Sequence, residues 1–191
     1  KETFATSGPR MKVRFFAGYD LDKTKAESKD LIEYLYSNGV SMGSDLRHSE
    51  TTDPTFFVWA IRDLDSAALQ RIQIVKGWIE SNQLKEKVYD VVCSDGLKVD
   101  PVTNRCPDNG AKVDIETCSI SNHGANELSS FWSDPDFDKN TRAFYYVRVL
   151  ENPTCRWSTW DAIREGVSPR PDMQKTIQER AWSSPIHLLN G

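Results

Sequence analysis

The segment AFYYVRVL, Ala143 to Leu150, constrains the fold more than any other. On a strand its side chains alternate, so Ala143, Tyr145, Val147 and Val149 line one face and Phe144, Tyr146, Arg148 and Leu150 the other. Both faces are apolar enough to need a covering layer, which makes this a central strand. Arg148 alone breaks the apolar run. A guanidinium among such neighbours needs a partner, so Arg148 is expected to meet a carboxylate or carbonyl groups at an interface.

Other segments read the same way. Met11–Phe16 is expected as a strand, with Met11, Val13 and Phe15 on one face and Lys12, Arg14 and Phe16 on the other. Phe56–Arg62 is apolar on both sides and reads as a further central strand. Arg71–Trp78 and Glu86–Val92 read as a hairpin across the polar stretch ESNQLK, and Asn126–Trp132 as another strand. Lys23–Tyr36 has a short apolar face, Leu31, Ile32, Tyr34 and Leu35, and reads as a weak helix or a loop ending at Asn38-Gly39. Two short helices are expected at the end: STWDAIREG, capped by Ser158 or Thr159 and stopped by Gly166, and Met173–Arg180. Six or more strands separated by turns, without βαβ alternation or repeats, indicate a mainly β chain: an antiparallel β-sandwich with a few short peripheral helices.

Between Cys93 and Cys118 the chain runs CSDGLKVDPVTNRCPDNGAKVDIETC, rich in turn formers and poor in core residues, so a covalent staple is expected there. The four cysteines, Cys93, Cys106, Cys118 and Cys155, include no C-x-x-C pair, which favours disulfides over zinc and an oxidising compartment, periplasmic or extracellular. Three pairings are possible. Local closure of the loop favours Cys93–Cys106, and Cys118–Cys155 then ties the loop's end to the segment after the central strand. The opening KETFATSGPR has neither an initiator Met nor an apolar signal core, so the chain reads as a piece of something longer. A net charge of -4 argues against a nucleic-acid partner, and no apolar run approaches the roughly 18 residues of a membrane span.

Few constellations carry chemistry. Asp134, Asp136 and Asp138 occupy the first, third and fifth places of a calcium loop, but Lys139 stands where Gly is needed and Tyr145 where Glu is needed, so a solvated turn is expected. Asp95, Asp100, Asn104 and Asp108 form a looser oxygen-rich set without diagnostic spacing. His48, His123 and His187 stand apart and read as surface residues. No nucleophile elbow and no phosphate-binding glycine loop occurs. The turn TSGPR offers backbone N–H groups and a guanidinium to an anion, making Thr6, Ser7 and Arg10 the substrate-facing candidates, although a plain turn explains it as well. Most of the six tryptophans are expected to pack internally, with Trp157, Trp160 and Trp182 closing the edge of the core. Exposed rings would leave a glycan- or protein-binding module as the alternative.

Taken in order, ATSGPRMKVRFFAGYD, VSMGSDL, LQRIQIVKGW, VYDVVCSDG, RCPDNGA, WSDPDFD, RAFYYVRVLENPTCRWSTWDA and IQERAWSSPI resemble the C-terminal third of domain-of-unknown-function family 3604, a family of long bacterial proteins. Its members look like relatives of the polymerase-and-histidinol-phosphatase (PHP) superfamily, whose barrel binds divalent metals and hydrolyses phosphate esters or related substrates. The resemblance implies that the barrel and its metals lie upstream, that residues 1–10 are a connector from it, and that this chain holds no catalytic or metal-ligating residue and no cofactor of its own. Residues 11–157 would then be the sandwich, packed on the barrel as its partner, and 158–191 a helical tail. Two departures stand out. Relatives usually follow SSPI with an aromatic pair where this chain has Ile186-His187-Leu188-Leu189, and the cysteine pattern matches only some of them, which suits a staple better than a catalytic thiol.

Overall fold

Residues 1–47, 49 and 51–189 are described by the computed structural model. In chain order they form β1 (Phe4–Thr6), β2 (Lys12–Tyr19), a short 3-10 helix (Lys23–Glu27), α1 (Leu31–Asn38), β3 (Val40–Ser41), β4 (Asp45–Arg47), β5 (Pro54–Ile61), β6 (Leu69–Glu80), β7 (Gln83–Cys93), β8 (Glu127–Ser133), β9 (Ala143–Glu151), β10 (Thr154–Cys155), α2 (Trp157–Arg164), β11 (Thr176–Ile177), β12 (Arg180–Ser183) and β13 (Ile186–Leu189). The fold is mainly β and is built on two large sheets, with β10 and β11 as a separate two-stranded pair. The larger runs β7-β6-β9, then β12 and β13 end to end, then β1 and β4; the smaller is β3-β2-β5-β8. Pairing is antiparallel except between β13 and β4.

The alternation in β9 sets the layers. Tyr145, Val147 and Val149 are fully buried and meet Ile72, Ile74 and Tyr89 of their own sheet and Phe15, Phe56 and Val58 of the other in one core. Phe56 sits at its centre, with ring centroids 4.5 Å from Tyr145 and 5.8 Å from Phe15. Each such side chain contributes about 1.5–3 kcal/mol through burial. On the back of the smaller sheet, Phe16 and Phe57 form a second cluster with Leu21, Leu31 and Leu35. The ambiguous Lys23–Tyr36 stretch therefore divides into a 3-10 turn and a helix that lays Leu31 and Leu35 on that cluster.

β9 has a continuous partner on one edge, β6, and a divided one on the other. There β12 pairs with Arg148–Leu150 and β13 with Ala143–Tyr145. At the break, Ser183 Oγ accepts the Val147 N–H at 2.9 Å, so the ladder loses no donor. This divided edge overturns two expectations. Met173–Arg180 is not a helix, because Thr176–Ile177 pairs with β10 and Arg180 starts β12. The described residues of the expected helical tail, 158–189, are accordingly not all helical: after α2 they give the large sheet two strands. Residues 1–10, expected as a connector, add β1 to the same sheet through β12.

The remaining differences are local. The hairpin between β6 and β7 turns on Ser81 and Asn82 alone, both at positive φ, as tight two-residue turns require, so its strands run further into ESNQLK than the polar composition suggests. The N-cap of α2 is Arg156 rather than Ser158 or Thr159. Its end does fall at Gly166, whose φ of 65° lets the Val167 N–H reach the Ala162 carbonyl. The loop staples are Cys93–Cys106 and Cys118–Cys155, each with 5.7 Å between Cα atoms.

Candidate functional site

The outward face of the large sheet is where Arg148 lies. Registers align Ala5, Trp182, Arg148, Gln73 and Asp90 in one row across β1, β12, β9, β6 and β7. Along this row Arg148 Nε donates to Gln73 Oε1 at 2.7 Å, and Gln73 Nε2 donates to Asp90 Oδ1 at 2.6 Å. Asp90 is almost wholly buried. It also accepts the Cys106 N–H at 2.7 Å and lies 3.8 Å from Arg71 Nε and 3.5 Å from Arg105 Nη1. The Cys93–Cys106 staple thus delivers a backbone donor to a buried acid, which explains why a loop with so few apolar residues holds its place.

Beyond this row the face is aromatic. Tyr146 covers the buried Val75, and Phe144 lies over Gly77, where an added Cβ would come within 2.3 Å of the ring. Phe144 and Tyr146 stand 6.5 Å apart with planes 14° from parallel. The strip ends in a groove of about 600 Å³ beside Ile79, Leu84, Phe144 and His187, with Ile79 and Leu84 largely exposed. Phe144, Tyr146, Arg148 and Trp182 are half-buried. Both helices pack elsewhere, α1 on the smaller sheet and α2 on β10, so this face carries no helical layer among the described residues.

Thr6, Ser7 and Arg10 lie at the edge of the same sheet. Thr6 pairs with Ala181. Ser7 Oγ accepts the Arg180 N–H at 2.8 Å and donates to the Glu179 carboxylate. Arg10 is exposed and held by two acids, its backbone N–H and Nε by Asp63 and its Nη2 by Asp65 at 2.6 Å. Asp63 in turn sits below the usual carboxylate range, chiefly because the Arg10 and Asp65 N–H groups bind it. The Ser7 hydroxyl and the Arg10 N–H, Nε and Nη2 donors are therefore engaged within the chain. It borders a cleft of about 520 Å³ lined by Arg62, Asp65, Ser66, Thr154, Trp160 and Glu179, with the Cys118–Cys155 bridge in its wall.

Glu151, a residue sequence reasoning passed over, is fully buried near this corner. One carboxyl oxygen accepts from Ser66 Oγ at 2.5 Å, and the other has no hydrogen-bond partner among the described residues. Burial, with Glu179 and Asp63 nearby, pushes its pKa up to about 7. At the opposite end of β9, the acidic turn corrects an expectation. Asp138 is solvated, but Asp134 is buried and accepts from Lys76 Nζ at 2.6 Å and from Tyr145 OH at 2.7 Å. Asp136 accepts from Lys87 and Tyr89, which hold it below the usual carboxylate range. Burial, followed by Asp134, drives the Tyr145 phenol up. A Lys within a strand pattern whose facing positions are aromatic was the only signal for this cluster.

The oxygen-rich loop set is dispersed in turns. Asp95 binds Ser94, Asn109 and the Gly124 N–H, Asp100 caps Val102 and Thr103, and Asp108 caps Gly110. Gly124 itself has φ 100°, and a Cβ there would meet Asn152 at 2.6 Å. Among the described residues no group of three or more His, Cys, Asp and Glu is placed to hold a metal ion. His123 and His187 are exposed, and His48 lies outside the described residues. Trp157 and Trp160 are exposed rather than closing the core edge, whereas Trp132 packs on Phe56 and Tyr89. No helix among the described residues is long and apolar enough to cross a membrane.

No curated protein and no solved structure matches the chain. Four of the segments quoted above, VYDVVCSDG, LQRIQIVKGW, RCPDNGA and AFYYVRVL, nevertheless lie together on the adjacent strands β7, β6 and β9 and their stapled loop. A family model described as "Protein of unknown function (DUF3604)" matches residues 1–190, and the protein belongs to that family.

Proposed function

We propose that this chain is the accessory β-sandwich of a larger, exported bacterial metal-dependent hydrolase of phosphate or sulfate esters. It packs on a PHP-like catalytic barrel supplied by the preceding part of the polypeptide, shapes its cleft, and has no turnover alone. The observation that supports this reading is the outward face of the large sheet, where Phe144, Tyr146, Trp182 and the braced Arg148 are half-buried with no helical layer over them among the described residues. A fully exposed ring gains about 1.5–3 kcal/mol on full burial, and these half-buried rings retain only part of that gain for a partner surface. The divalent metals belong to the barrel. The corner of Ser7 and Arg10, among the first ten residues, faces that cleft. Two disulfides support an oxidising compartment, the periplasm or the cell exterior.

Co-expression with the preceding part tests it. The chain is expected to co-purify with that part, and Tyr146→Ala/Trp182→Ala to lower retention at least tenfold. Stoichiometric zinc or manganese with ester turnover on the chain alone would sink the accessory role. The nearly parallel Phe144 and Tyr146 rings favour one second reading, a glycan- or protein-binding module, since sugar faces stack on such platforms. Glycan binding lost in Tyr146→Ala supports that reading instead.

A further inference from the structure

Arg148 is braced on one side and open on the other. Its Nε is bound by Gln73, while its two Nη groups make no hydrogen bond or ion pair with the described residues. A guanidinium fixed through Nε keeps its end-on fork, two parallel N–H donors whose spacing matches a carboxylate. The brace has a direction. Asp90, ion-paired with Arg71 and Arg105, is an acceptor only, so Gln73 must turn its amide nitrogen towards Asp90 and its oxygen towards Arg148. Asp90 is itself held by the Cys106 N–H, which the bridge to Cys93 keeps in place. Bridge, acid, amide and guanidinium form one relay. Cations also gather at this end of the face, although the whole chain is net negative at -4: Arg71 and Arg105 pair with Asp90, and Arg148 and Arg180 follow on β9 and β12.

We infer that Asp90 and Gln73 are positioning residues for Arg148, and that Arg148 receives a side-chain carboxylate of the protein surface covering this face. The partner's identity rests on the docking reading above; the anion site does not. Pre-ordering the guanidinium removes part of the entropy cost of the contact, which is the advantage of bracing an arginine on an open face.

Arginine side-chain NMR of the chain, titrated with sodium acetate against sodium chloride at equal ionic strength, tests the site. Acetate is expected to shift the Arg148 Nη signals saturably beyond the chloride effect, Gln73→Leu to weaken that response at least fivefold, and Arg148→Lys to abolish it. An acetate effect equal to that of chloride overturns the site, an unchanged response in Gln73→Leu overturns the relay, and stronger binding of sulfate than acetate overturns the carboxylate assignment. Should Gln73→Leu fail to fold, the wild type decides: Arg148 Nε–H should exchange at least tenfold more slowly than that of exposed Arg142, and equal rates overturn the brace. A chain that co-purifies with the preceding part but ignores acetate keeps the docking and loses this inference. One that responds to acetate but does not co-purify does the reverse.

Discussion

Strand β9 runs between two buried acids that the fold treats in opposite ways. Near its start, Asp134 meets an ammonium, a phenol and the Asp136 N–H, so both its oxygens have donors. At its end, Glu151 has the Ser66 hydroxyl for one oxygen and, among the described residues, no donor for the other, with Glu179 and Asp63 adding negative charge. Burying a carboxylate is costly unless a cation and donors offset the lost water or the group takes up a proton. Asp134 illustrates the first solution and Glu151 the second. The Asp134 end is therefore a fixed electrostatic closure of the core, and the Glu151 end, beside the Ser7–Glu179 corner, is the part that senses pH.

Removing the cation makes the sharpest cut through this contrast. Lys76→Met leaves Asp134 buried without its counter-charge and is expected to lower stability by about 3–5 kcal/mol, with Lys76→Met/Asp134→Asn recovering much of it. Urea unfolding midpoints give both values, and a single-variant loss below about 1 kcal/mol would mean that the phenol and backbone suffice. Next in size is the staple beside Glu151. Cys118→Ala/Cys155→Ala, which frees a separation of 37 residues, should cost about 4 kcal/mol by loop-closure entropy. A cost near zero would show that β10 and β11 hold that end unaided.

The smallest effect is the most diagnostic. Glu151 in the fold titrates near 7, above its ordinary 4.5. Between those values the native state holds a proton that the unfolded chain has released, so stability must fall as pH rises through this window. The loss is complete above about 7 and amounts to at most about 3 kcal/mol. Glu151→Gln should flatten that slope in thermal melts at pH 5 and pH 8. An equal slope in both proteins would place the titrating group elsewhere and erase the difference between the two ends.

Legibility in the sequence followed the range of the interactions. The β9 alternation was readable because period-two patterning is local, and so were the turn-rich loop and its need for a staple. Met173–Arg180 misled because its helical composition is a weak local preference, and an unpaired edge on β9 next to buried Val149 outweighs it. The turn at Asp134 reads as solvated because Lys139 and Tyr145 break the calcium-loop pattern, while the lysine that pairs with the buried Asp134 lies on β6. The sequence marks Arg148 as a cation among apolar neighbours, but the group that braces it is Gln73 of the adjacent strand, a residue of no distinctive pattern. Its partner was invisible because strand register, not sequence spacing, sets them side by side.

What this sequence determines by itself is a mainly β chain with a two-faced central strand and a stapled loop, since alternation, turn chemistry and cysteine placement act over a few residues. Which acids are buried charged and which protonated, and which way Arg148 points, was decided only by tertiary structure. Desolvation and ion pairing depend on distances of a few ångströms between strands far apart in the chain, and only the packed sheets create those distances.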